Sequence, residues 1–81
     1  MGGRQMFGSK EEKVKEIIIT VLENSSLPTD ATIERGTTLR DDLGLDSIAL
    51  AELAVRIEDE YDIDVFEDGL VHTVEEILDK L

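Results

Sequence analysis

Residues 41–61 read DDLGLDSIALAELAVRIEDEY, and this stretch decides the fold. Its apolar side chains recur at helical spacing, and Tyr61 follows one turn after the last of them. The stripe predicted to be buried consists of Leu50, Leu53, Ala54 and Ile57. Asp46 and Ser47 precede this stripe, as is typical of a helix start. We therefore predict an amphipathic helix that begins at Asp46 and Ser47.

Two further helices are predicted, one on each side of this segment. Ser9 with Glu12, and Thr73 with Glu76, have the spacing of a capping box, which marks a helix N-terminus. The first helix is predicted to bury Val14, Ile17, Ile18, Val21 and Leu22 and to end before Pro28. The last helix is predicted to bury Val74, Ile77, Leu78 and Leu81. Because no segment alternates with period two, the fold class is predicted to be all-α.

The connections between these helices carry their own signals. Residues 25–45 show no sustained period, and so long a connection in a small domain is often functional. We expect its aliphatic side chains to anchor it to the helices, and these are Leu27, Ile33, Leu39, Leu43 and Leu45. One short helical turn is predicted near Thr38, and a short fourth helix around Phe66 to Leu70. The architecture is thus a small bundle of three main helices plus one short helix, with a long first loop.

The length of 81 residues permits one domain. Residues 1–8, MGGRQMFG, contain three glycines without periodicity, so we expect a flexible tail or residues added for expression, with the folded domain at 9–81. The chain has no cysteine, which excludes a disulfide and a thiolate metal site. The sequence predicts no membrane span and a cytoplasmic protein that is a monomer.

The charge is strongly segregated along the chain. Eight Lys and Arg against 20 Asp and Glu give 8 − 20 = −12. Residues 41–81 hold two basic and fourteen acidic side chains, which is 2 − 14 = −12 and so accounts for the whole excess. A field of this sign repels nucleic acid and anionic lipid and attracts basic surfaces of other proteins. We therefore predict protein partners and no nucleic acid.

The residues that could support catalysis or metal binding are few. His72 is the single histidine, and a lone histidine before a helix cap is usually a surface residue. The run that starts at Asp62 resembles the opening of a calcium loop, but Glu67 stands where that loop requires glycine. We predict that the protein is not an enzyme and has no dedicated metal site.

Ser47 is a candidate site for covalent modification by another enzyme. At the first turn of a helix its hydroxyl is expected to be exposed, and a phosphate attached there would lie near the positive end of the helix dipole. No neighbouring base is evident, so Ser47 is a better acceptor of a group added by another enzyme than a nucleophile. The alternative from position alone is that Asp46 or Ser47 only caps the helix.

The stretch DDLGLDSI at residues 41–48, followed by ALAEL at 49–53 and the acidic EDEY at 58–61, resembles the acyl carrier protein family. The resemblance extends over about residues 10–81. It implies that Ser47 carries 4′-phosphopantetheine, transferred from coenzyme A by a phosphopantetheinyl transferase. It also implies that the arm's thiol holds acyl intermediates as thioesters for enzymes of fatty-acid, polyketide or a related specialised biosynthesis. Asp46 would help to bind the divalent ion and the coenzyme A phosphates during loading.

A partner surface is predicted on the second helix. At about 100° per residue, four side chains fall opposite its core stripe, namely Ile48, Glu52, Val55 and Asp59. The resemblance implies that this face meets basic docking patches on acyl-loading and acyl-processing enzymes. Ala54 is a small residue that could leave space for an acyl chain beside Val65 and Phe66.

Two alternative functions remain open at this point. An aminoacyl or peptidyl carrier would use the same arm, although Leu45 before Asp46 favours an acyl carrier. An unmodified acidic adaptor would bind basic partner surfaces through the same helix and receive no arm.

Overall fold

A computed structural model of the chain describes residues 10–67, 69 and 71–81. Within these residues the helices are α1 (Lys10–Asn24), α2 (Ser47–Tyr61) and α3 (Val74–Lys80). The same residues contain no strand, and their one β-bridge pairs Thr38 with Thr73. None of the described helices has the length and apolarity that crossing a membrane requires. The prediction of an all-α fold is confirmed.

The helices share one core, and α1 is the helix that packs against both of the others. The predicted stripe of α1 is buried in full, because Val14, Ile17, Ile18, Val21 and Leu22 are all nearly inaccessible. In α2, Leu50, Leu53 and Ile57 are buried as predicted. Ala49 completes the buried stripe, whereas Ala54 is half-buried at its edge. Helical periodicity therefore predicted the core correctly except at one alanine, because Ala49 and not Ala54 is buried.

The long first loop is anchored by the side chains that the sequence indicated. Ile33, Leu39, Leu43 and Leu45 are buried, and Leu27 packs against the core while half-buried. The helical turn predicted near Thr38 is instead a series of turns. The Thr38 amide donates to Asp42 Oδ2 at 2.9 Å, and the Asp42 amide donates to Thr38 Oγ1 at 2.9 Å. These bonds between side chain and backbone replace helical ones and close the turn.

The predicted short helix around Phe66 to Leu70 does not form in the part of this segment that the structure describes. Residues 65–67 form a turn, while Asp68 and Leu70 lie outside the described residues. The Asp64 carboxylate accepts a hydrogen bond from the Phe66 amide at 3.0 Å, which competes with helical bonding. Val65 is fully buried, so the turn is still attached to the core.

The start of α3 is fixed by its cap and by the first loop. The predicted capping box is present, since Thr73 Oγ1 accepts from the Glu76 amide and Glu76 Oε1 accepts from the Thr73 amide. Glu76 Oε1 also accepts from the His72 amide at 2.6 Å, and these two backbone donors hold the pKa of Glu76 below its ordinary value. The amides of Val74 and Glu75 donate to carbonyls of the first loop. The other predicted capping box begins at Ser9, which lies outside the described residues.

The loop anchors should matter to stability in proportion to their burial. Leu39 is fully buried, so Leu39→Ala is expected to lower the free energy of unfolding by about 2–5 kcal/mol. Leu27→Ala is the matched control, because Leu27 is only half-buried and its truncation should cost clearly less. Urea unfolding followed by circular dichroism measures both. Equal losses in the two variants would contradict the anchoring role of Leu39.

Candidate functional site at the start of α2

Two adjacent residues at the start of α2 have different roles: Asp46 caps the helix, and Ser47 presents an exposed hydroxyl. Asp46 is the N-cap, with extended backbone angles, and its Oδ1 accepts a hydrogen bond from the Ala49 amide at 2.8 Å. Ser47 is the first residue of the helix and is exposed. Its hydroxyl makes no hydrogen bond to any other residue that the structure describes. Because Asp46 performs the capping, the Ser47 hydroxyl is left available for other chemistry.

The turn before α2 holds this head in place. Leu43 and Leu45 are buried on either side of Gly44, which has a φ of +82°. That region of backbone angles favours glycine, since a Cβ there clashes with the chain's own backbone. The Gly44 amide donates to the Arg40 carbonyl and the Leu45 amide to the Leu39 carbonyl, each at 3.0 Å. The sequence DLGLDS therefore forms a closed turn whose end delivers Ser47 to the surface.

The electrostatics at this point favour an anion close to Ser47. The first amides of a helix have no partner within it, and the helix dipole is positive at this end. The first turn of α2 contains no acidic residue after the cap. A phosphate bonded to the Ser47 oxygen would therefore meet amide donors.

A cleft opens beside Ser47. Its volume is about 330 Å³, and its lining residues are Arg40, Ser47, Leu50, Ala51, Phe66 and Gly69. We call this the Ser47 cleft. Of the three residues predicted to shelter an acyl chain, Phe66 lines the cleft, whereas Val65 is buried in the core and Ala54 is not among the lining residues. Ala51 provides the small residue in its place, a position that the core stripe alone did not indicate.

The four residues predicted as a partner surface are not equivalent in the structure. Ile48 is 81% exposed and Val55 64% exposed, and Asp59 is exposed as well. Glu52 instead lies against the end of α1, where its Oε2 accepts from Asn24 Nδ2 at 2.8 Å and from Arg56 Nε at 2.9 Å. The Asn24 bond and then the Arg56 bond keep the pKa of Glu52 below its ordinary value. Glu52 therefore links α1 to α2.

Two exposed residues that the prediction did not include lie on the same side of α2. Ala51 and Glu58 are exposed, and at about 100° per residue they lie on the same side of α2 as Val55. The helical wheel contains this signal, because these positions flank the ones directly opposite Leu50 and Leu53.

The lone histidine makes no hydrogen bond to Ser47. His72 lines a separate groove with Thr38, Arg40 and Asp41, and Ser47 is not part of its lining. Within the described residues, no group of three or more His, Cys, Asp or Glu side chains could hold a metal ion. Ser47 thus presents an exposed hydroxyl beside a cleft.

Comparison with known proteins agrees with this geometry. Residues 12–81 match a protein family described as "Phosphopantetheine attachment site". An acyl carrier protein of Desulforapulum autotrophicum is 43% identical over 60 residues, which cover 74% of both chains. An acyl carrier protein of Syntrophus aciditrophicus is 32% identical over 73 residues, covering 88% of this chain and 86% of that protein. No solved structure matches the chain significantly.

The fold and the matches define a small all-α carrier with a phosphopantetheine attachment domain. The chain belongs to the acyl carrier protein family. The resemblance stated from the sequence is confirmed, and so is the prediction of a covalently attached 4′-phosphopantetheine group. The exposed hydroxyl and the adjoining cleft provide a place that such an arm fits.

The division of tasks at the head of α2 can be tested by stability. Asp46→Ala removes the oxygen that accepts from the Ala49 amide, so it is expected to lower the free energy of unfolding by about 0.5–2 kcal/mol. Asp46→Asn keeps an oxygen at that position and should retain most of the stability. Urea unfolding of the two variants gives the comparison. If Asp46→Asn lowers the free energy of unfolding as much as Asp46→Ala does, the Asp46 side-chain oxygen does not stabilise the helix as its cap.

Proposed function

We propose that Ser47 is the attachment residue of the arm and that the protein carries acyl intermediates to partner enzymes. The observation that supports this most directly is the exposed Ser47 hydroxyl, which no other described residue engages, at the head of a helix capped by its neighbour. The thiol of the arm supplies the chemistry that the cysteine-free chain lacks, because it holds cargo as a thioester.

Loading is expected to require a separate transferase. The Ser47 oxygen forms a bond to the phosphorus that bears pantetheine, the pyrophosphate bond of coenzyme A breaks, and adenosine bisphosphate leaves. The hydroxyl proton passes to a base of the transferase, since His72 lines a different groove and Asp46 uses Oδ1 for the cap. Asp46 Oδ2 makes no hydrogen bond to the described residues, so it can approach the divalent ion that accompanies coenzyme A.

The class of cargo is inferred from the lining of the Ser47 cleft. The Ser47 cleft has an apolar lining from Leu50, Ala51 and Phe66, which suits an acyl chain or the base of the arm better than a charged amino acid. This favours acyl cargo of fatty-acid, polyketide or related specialised biosynthesis over aminoacyl cargo. We place this activity in the cytoplasm and assign it to a monomer.

Partner docking is proposed on the outer face of α2, which comprises Ile48, Ala51, Val55, Glu58 and Asp59. Exposed aliphatic side chains surrounded by carboxylates suit a partner whose basic patch steers the encounter and whose apolar centre makes the contact. Glu52 is a weaker candidate than the sequence suggested, because Asn24 and Arg56 already engage its carboxylate.

Attachment can be tested by intact mass. After incubation with coenzyme A, magnesium and a broad-specificity phosphopantetheinyl transferase, the chain should gain the mass of one arm. Ser47→Ala should gain nothing, whereas Ser25→Ala, which removes another hydroxyl, should still be loaded. No gain by the parent chain would favour the acidic adaptor, and a gain by Ser47→Ala would place the arm elsewhere.

Docking can be tested on the loaded protein. Val55→Glu should slow acyl loading by a cognate acyl-transferring enzyme about tenfold, equivalent to about 1.4 kcal/mol, because it removes an apolar contact and adds a charge. Ile19→Glu is the matched control, since Ile19 is an exposed aliphatic residue on α1. Its loading rate should stay within about twofold of the parent rate. Equal rates for both variants, with unchanged helical circular dichroism, would contradict docking on the outer face of α2.

A further inference from the structure

Arg40 occupies a rigid position beside the proposed attachment residue. It follows Leu39, which is fully buried and whose amide donates to the His72 carbonyl at 2.9 Å. The Arg40 carbonyl accepts the Gly44 amide at 3.0 Å, so the backbone is fixed on both sides of the residue. The side chain itself is exposed and lines the Ser47 cleft.

The charge of Arg40 lacks a partner among the residues that the structure describes. Arg35 is paired with Glu11 at 3.5 Å and Arg56 with Glu52 at 2.9 Å, but Arg40 has no ion pair within the described ranges. The nearest acidic residues in sequence do not engage it, and the Asp42 carboxylate accepts the Thr38 amide instead. An arginine without a carboxylate partner is notable in a chain of net charge −12.

We propose that Arg40 binds the phosphate of the arm attached to Ser47 and so directs the base of the arm along the Ser47 cleft. This inference rests on the proposed function of Ser47. A phosphodiester offers two unesterified oxygens, and the planar guanidinium can donate to both at once. The amides at the start of α2 approach the same anion from the helix side.

The consequence is a preferred direction for the arm. An anion held between Arg40 and the head of α2 lies at the mouth of a cleft whose other lining residues include Leu50, Ala51 and Phe66. The part of the arm beyond the phosphate then starts along the apolar surface of the cleft. Without Arg40, only the amides at the start of α2 would attract the phosphate, and the base of the arm would be held less firmly against the cleft.

The test uses the protein before and after loading, with complete attachment of one arm verified by mass for every sample. In the parent chain, the Nε–H resonance of Arg40 should shift on loading, while that of Arg35 should not. The phosphorus resonance of the arm should change in Arg40→Gln and not in Arg35→Gln, which removes a charge outside the cleft. Arg40→Lys should give an intermediate phosphorus shift, because it keeps the charge and loses the planar pair of donors.

Salt provides a second readout on the same samples. The contact is solvent-accessible, so raising salt to about 1 M, where the Debye length is roughly 3 Å, should return the Arg40 resonance towards its unloaded position. The inference is overturned if loading leaves the Arg40 resonance unchanged, or if Arg40→Gln and Arg35→Gln have the same phosphorus shift. Since the arm is attached in all samples, either result would leave the role of Ser47 intact.

Discussion

The backbone bridge between the first loop and the start of α3 is the interaction on which the rest of the structure depends. The Leu39 amide donates to the His72 carbonyl, and the Val74 amide donates to the Thr37 carbonyl. These bonds join two segments that are far apart in sequence and leave the Leu39 side chain in the core. A loop of this length could otherwise adopt many conformations, and ordering it carries an entropic cost that burial of its aliphatic residues must offset. The turn that presents Ser47 starts from this fixed point.

The Ser47 hydroxyl is exposed because the residues before it in the turn meet the structural requirements at the start of α2. Gly44 supplies the backbone angle, Leu45 is buried, and Asp46 satisfies the Ala49 amide. Each of these residues meets a structural requirement of the turn or of the helix start. The Ser47 side chain is therefore not needed for capping or packing. Family membership shows that a phosphopantetheine arm is attached to such a domain, and the local geometry supports the proposal that Ser47 bears it. The acidic outer face of α2 and Arg40 within the cleft would then serve different ligands.

The sequence predicted the helices and their buried faces because amphipathic periodicity is a local property. The stripe of α1, the start of α2 and the capping box of α3 were each visible within one window of residues. The turns at 39–43 and 65–67 were not, since hydrogen bonds between side chains and the backbone replace helical hydrogen bonds there. The role of Glu52 depends on Asn24, which is 28 positions away, and no local pattern encodes that contact. The cleft likewise joins Arg40, Ala51 and Phe66 only after folding.

The proposed carrier function requires that one hydroxyl, that of Ser47 at the head of α2, bears the phosphopantetheine arm. Peptide mapping by tandem mass spectrometry of the protein purified from its native host tests this claim most directly. The peptide spanning residues 41–56 is expected to carry phosphopantetheine, and fragmentation is expected to locate the group on Ser47. Arm-free Ser47 in all copies, or an arm on any other residue, would contradict the account.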